Sequence, residues 1–130
     1  LNGYQQGLCF YCSHKISVKE KSKYLADVDH FFPHSLIKNQ MKINVDGVWN
    51  LVLACKDCNR GENGKFSKIP ENIFLDKLCK RNNWLISSHH PLRETIINQT
   101  GNNSEKRVKY LSNIYEEAIK LFPYSKWSPK

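Results

Sequence analysis

Two cysteine pairs, Cys9-Phe10-Tyr11-Cys12 and Cys55-Lys56-Asp57-Cys58, constrain this chain more than any other feature. A two-residue gap lets both thiolates of a pair turn toward one ion, and two such pairs complete a tetrahedral shell of four sulfurs. The chain between them must then fold so that two distant segments meet. A reducing, intracellular setting disfavours the competing reading, a pair of disulfides. Four unrelated buried cysteines would rarely fall into two such pairs. Because protein fills all four positions, a zinc ion held there has no open site, and its role is structural. His14, just beyond the first pair, is superfluous as a ligand. Cys79 stands alone in an apolar stretch and reads as a small buried hydrophobe.

The 130 residues suit one domain, with 40% hydrophobic and 25% charged residues, a globular balance. A core of this size is modest, so a metal clip adds stability where packing is thin. No stretch approaches the roughly 20 apolar residues of a membrane-spanning helix, and no secretory leader is visible. The expected location is therefore the cytoplasm, away from any membrane. The opening at Leu1 rather than Met suggests a piece of a longer chain, with further domains or a second copy as possible neighbours. Twenty Lys and Arg against twelve Asp and Glu give a net charge of +8, which predicts attraction to polyanions. The basic residues are scattered, with no run that would mark a disordered arm.

The chain divides into two unequal segments, residues 1–68 and 69–130. The first holds the cysteine pairs and short apolar runs. Alternation in Tyr24–Asp29 puts Leu25, Asp27 and Asp29 on one face of a short strand. A second run, Val48–Ala54, follows the turn signal Asp46-Gly47. The second segment reads as helical from about Pro70, which suits a first helical turn, with Glu71 beside the positive end. Val108, Leu111, Tyr115, Ala118, Ile119 and Phe122 mark one face of a later helix, capped by Asn103 or Ser104 and ended by Pro123. These helices are expected to act as support.

The chemistry-bearing residues lie in Asp27-Val28-Asp29-His30-Phe31-Phe32-Pro33-His34-Ser35 and in Asn50-Leu51 followed by Cys55-Lys56-Asp57-Cys58-Asn59-Arg60. This pattern resembles the HNH nuclease family: an acid before a His, a Pro shortly after, an Asn-Leu pair, then CxxC followed by Asn or His. The three name-giving positions fall at His30, Asn50 and Asn59. The resemblance covers residues 9 to about 65. It implies an α+β fold with a ββα-metal core, a structural pair of zinc knuckles and a helical C-terminal extension. The helix of that core is expected to begin near Lys56.

Phosphodiester hydrolysis needs a base for the attacking water and a cation for the developing charge. Imidazole suits the first task, having an ordinary pKa near 6.5. An Asp and an Asn carbonyl suit a hard ion such as Mg²⁺. The resemblance accordingly implies His30 as general base, with Asp29 and Asn59 holding one Mg²⁺ or Mn²⁺. It also implies Asn50 as a brace for the loop carrying His30. Successive strand residues point to opposite sides, so Asp29 and His30 can meet one phosphate only if the strand ends and bends there. Cys9, Cys12, Cys55 and Cys58 would hold the structural Zn²⁺ and so fix where Asn59 points. Arg60, Lys65, Lys68 and His34 are candidate contacts to nucleic-acid phosphates. The expected partner is DNA, double-stranded, cut to leave 5′-phosphate and 3′-hydroxyl ends. The alternative is a zinc-stabilised nucleic-acid-binding module without catalysis. His89-His90 before Pro91 reads as a loop leading into a helix.

Overall fold

The run at Asp27 forms a strand, β1 (Asp27–His30), in the computed structural model, which describes residues 1–130. It pairs antiparallel with β2 (Leu51–Ala54), with Asp29 opposite Val52 and His30 opposite Leu51. β2 is shorter than the sequence pattern predicts, because Val48–Asn50 forms a 3₁₀ turn instead of strand. The N-terminal helix α1 (Asn2–Gln5) covers the other side of β2. There the buried Gln5 side chain acts like a strand edge: its Nε2 donates to Leu53 O (2.7 Å) and its Oε1 accepts from Leu53 N–H (2.9 Å). After β1 the chain enters a short helix, α2 (Ser35–Lys38). After β2 it turns at Cys55 into α3 (Lys56–Arg60), so the two paired strands, with α2 and the 3₁₀ turn between them, are followed by a short helix.

The second half supplies three longer helices, α4 (Asn72–Ser87), α5 (Arg93–Thr100) and α6 (Ser104–Leu121). Asn103 caps α6, its side chain accepting from Lys106 N–H at 2.8 Å. Pro70 does not open a helix as its position suggests. Residues Ile69–Pro70 form a two-residue strand, β3, parallel to β4 (Lys126–Trp127), and Glu71 N–H is taken by Trp127 O. That strand pairing delays α4 to Asn72.

One core spans both halves, joining Phe10, Phe31, Phe32, Trp49 and Val52 to Leu78, Leu111, Ile114 and Tyr115. Arg81 lies inside it, fully buried, donating to Leu51 O (2.7 Å), Trp49 O (3.2 Å) and Val48 O (3.3 Å). Burial pulls its guanidinium down to about 10. Arg81 thus satisfies the carbonyls of the 3₁₀ turn and ties α4 to the strand pair. Charge count alone would have placed this residue on the surface. No helix is long and apolar enough to cross a membrane.

Candidate active site and cysteine cluster

Cys9 and Cys12 reach Cys55 and Cys58 because Phe10 N–H bonds Leu53 O (3.0 Å), docking the first pair beside the end of β2. The four ligand sulfurs lie within 4.8 Å of one another. Cys12 Sγ and Cys55 Sγ are 3.7 Å apart. A tetrahedral ion with Zn–S bonds of about 2.3 Å spaces its sulfurs by about 3.8 Å, so the cluster fits zinc. Backbone N–H groups also point at the sulfurs, from Cys55 to Cys9 Sγ (3.3 Å), from Cys58 to Cys55 Sγ (3.4 Å) and from His14 to Cys12 Sγ (3.5 Å). Such donors stabilise thiolates. His14 stays outside the cluster, and Cys79 lies partly buried against the core.

Beyond this cluster the strand pair separates its side chains by face. β1 stays regular through His30, and the bend comes one residue later, where Phe31, Phe32 and Pro33 turn into the core. Asp29 and His30 therefore diverge, contrary to the bend expected between them. Asp29 points inward and is only 5% exposed. Its Oδ2 accepts from the Tyr11 hydroxyl (2.6 Å), and Lys65 Nζ lies 3.5 Å from its Oδ1 and 3.4 Å from its Oδ2. Burial pushes the Asp29 carboxyl up, against the pull of Lys65 and Tyr11. The same burial pulls the Lys65 ammonium down and drives the Tyr11 hydroxyl up.

Lys65 was a candidate for phosphate contact, and its placement corrects that expectation. The side chain is fully buried, with Nζ also donating to His30 O at 2.9 Å. A lysine so enclosed cannot reach a backbone phosphate. Lys65 instead locks the end of β1 from beneath. Arg60 is exposed but engaged, with Nε 2.8 Å from Asp27 Oδ2. Lys68 is exposed.

Asn59 sits on α3, where the turn at Cys55 sets its direction, yet it meets Asp27 and not Asp29. Its Nδ2 donates to Asp27 Oδ2 at 3.0 Å. Burial opposes the change, but the hydrogen bonds from Asn59 and Arg60 hold the Asp27 carboxyl below the usual range. Asp29 and Asn59 are thus committed to different partners. As they stand, they do not form a shared seat for a hard cation.

His30 faces the other way, toward solvent, and meets two residues. Its Nε2 lies 2.8 Å from Asp46 Oδ1, and His34 Nε2 lies 3.0 Å from the same oxygen. The two imidazole nitrogens are 3.2 Å apart. Hydrogen bonding from His30 holds the exposed Asp46 carboxyl below the usual carboxylate range. Sequence reading treated Asp46 only as a turn residue, and no signal marks it out except its place beside Gly47. That glycine is required by close approach, since a Cβ there would lie 2.5 Å from Trp49 Nε1.

Asn50 connects the two segments that carry this cluster. It is fully buried. Its Oδ1 accepts from Phe32 N–H (2.8 Å), while Nδ2 donates to Phe32 O (2.9 Å) and Val45 O (2.8 Å). Phe32 lies between His30 and His34, and Val45 precedes Asp46. Asn50→Ala would leave three buried backbone groups unpaired, each costing about 1–3 kcal/mol. A loss of at least about 2 kcal/mol in urea unfolding is expected on that basis.

The geometry offers an imidazole set at the open end of a strand, a carboxylate against it, and a cysteine cluster bracing the adjoining helix. The family model described as HNH endonuclease matches residues 9–70. No curated protein and no solved structure matches the chain. The matched segment contains both cysteine pairs, His30, Asn50 and Asn59, and it is this segment, residues 9–70, that is similar to the HNH endonuclease family.

Proposed function

We propose that this chain is a metal-dependent DNA endonuclease in which His30 is the general base, carried on a zinc-clipped ββα-metal core. The observation that supports it most is His30 itself: partly exposed at the end of β1, with its Nε2 set 2.8 Å from a carboxylate. An Nε2–H directed at Asp46 leaves Nδ1 with the lone pair, so the ring is held in one tautomer and one orientation. Water attacks phosphorus as His30 accepts its proton, the P–O3′ bond breaks, and the leaving O3′ takes a proton from solvent water. The products carry a 5′-phosphate and a 3′-hydroxyl. Mg²⁺ or Mn²⁺ would supply charge neutralisation at the phosphate, and Asp29 and Asn59 would have to leave Tyr11, Lys65 and Asp27 to hold it. The net charge of +8 favours a polyanionic substrate, and the exposed Lys68 is the residue we assign a backbone contact. Double-stranded DNA is the proposed substrate.

Supercoiled plasmid tests this. Nicked or linear product with Mg²⁺ or Mn²⁺, abolished by EDTA and resealed by DNA ligase, is the expected result. Ligase accepts only the proposed end chemistry. Salt-dependent binding of the plasmid with no cutting under any divalent ion would favour the non-catalytic binding module.

A further inference from the structure

We infer that His30, His34 and Asp46 form a second metal site, selective for a borderline divalent ion such as Zn²⁺, whose occupancy silences His30. The inhibitory half rests on the reading of His30 as the base; the metal site does not.

The three ligand atoms form a triangle with edges of 2.8, 3.0 and 3.2 Å. Two ligands at about 2.1 Å from an ion and at right angles to each other are about 3.0 Å apart. The triangle therefore matches one face of an octahedron. Without an ion, an Nε2–H from each imidazole directed at Asp46 accounts for the two contacts to the carboxylate oxygen but not for the approach of the two nitrogens; a divalent ion accounts for all three edges. Two imidazoles with one carboxylate is a donor set that favours Zn²⁺, Ni²⁺, Co²⁺ or Fe²⁺ over Mg²⁺.

The triangle is also held in place rather than assembled from loose side chains. His30 ends a paired strand, and its carbonyl is fixed by Lys65 Nζ at 2.9 Å. His34 is the residue immediately before α2, four positions on from His30. Asp46 is the most exposed of the three, but its neighbour Val45 is buried and tied through Asn50 to Phe32. One buried amide thus sets the distance between the segment bearing both histidines and the loop bearing the carboxylate. The far side of the triangle is open to solvent, with side-chain exposures of 29%, 55% and 68% for His30, His34 and Asp46. An ion there would exchange readily, as a regulatory site requires and as the closed four-cysteine cluster does not permit.

The effect on His30 follows from the tautomer. A neutral imidazole has one lone pair and one N–H. An ion on Nε2 takes the lone pair and leaves the proton on Nδ1, so neither nitrogen can accept a proton from water. Zn²⁺ would then oppose the Mg²⁺-supported reaction without touching the cysteine cluster.

The test uses the full chain already loaded with one equivalent of zinc, titrated with further Zn²⁺ by calorimetry, and His34→Gln and Asp46→Asn alongside it. The wild type should bind a second equivalent. Each variant should keep the first and bind the second at least about tenfold more weakly. In plasmid nicking with Mg²⁺, each one-zinc protein is compared with its own rate before further Zn²⁺ is added. His34→Gln should need at least about tenfold more Zn²⁺ than the wild type for half inhibition. A wild type that binds one equivalent only, or variants that bind the second unchanged, would overturn the site. A second equivalent lost in both variants, in a protein that cuts nothing with Mg²⁺ or Mn²⁺, would uphold the metal site and remove the nuclease reading.

Discussion

Stripping zinc from the cysteine cluster, by a strong chelator or by Cys58→Ser, should collapse the N-terminal half of the chain. Zinc binding to four-ligand sites is worth about 10–16 kcal/mol in small peptides, while a whole domain is stable by only about 5–15 kcal/mol. The ion's share is therefore comparable to the total. Structure supports this ordering. The segment that carries the first cysteine pair has no strand of its own, and it is held by Phe10 N–H on Leu53 O, by the Gln5 side chain on β2, and by the cluster. Tyr11, between the first two cysteines, also holds Asp29 through its hydroxyl at 2.6 Å. Loss of the ion should thus loosen β1 from below as well as α3. Mass spectrometry under native conditions gives the stoichiometry, and hydrogen exchange localises the loss. Rapid exchange across Asp27–His30 and Leu51–Arg60 in the apo-protein is expected, with slower change in α6. Unchanged protection after complete zinc removal would show that the core stands without its clip.

Lys65→Met should be the most damaging single substitution outside the cysteines. It removes the cation from a buried pair whose partner, Asp29, has almost no access to water. Removing one partner of a buried ion pair costs about 3–5 kcal/mol, because the remaining charge is left uncompensated. The penalty should depend on pH in a defined direction. Burial already raises the Asp29 carboxyl, and loss of Lys65 raises it further. A group raised in the folded state favours folding below its unfolded value and disfavours it as pH climbs through the folded value. The cost of Lys65→Met is therefore largest near neutral pH and shrinks as acid protonates Asp29. The double change Lys65→Met with Asp29→Asn should recover much of the loss, since no charge is then left stranded. Urea unfolding at pH 7 and at pH 4 measures both effects. Equal destabilisation at the two pH values would show that lost packing, not charge, dominates.

The cysteine spacing made the cluster legible in the sequence, because ligand number and geometry constrain spacing tightly. The start of α6 was legible for the same kind of reason, since Asn103 satisfies a local need of the helix beside it. What the sequence did not show was which face each acid would take. Asp29 and His30 are neighbours, and the motif groups them, but the ladder continues through His30 to Leu51 and sends them apart. Asn59 then meets the acid two residues earlier on the same face. Long-range partners were hidden too. Nothing local to Lys65 distinguishes it from Lys68, yet one is enclosed against Asp29 and the other lies in solvent. Asp46 was hidden because its meaning depends on Asn50, which draws Val45 against Phe32 across a buried network.

His30→Ala tests the central claim most directly, with plasmid nicking measured under single-turnover conditions at matched zinc content and matched unfolding midpoint. The predicted result is a fall of about 10²–10⁴-fold in rate with DNA binding retained, the usual contribution of a positioned general base. A variant that folds, holds its zinc and still cuts at the wild-type rate would contradict it.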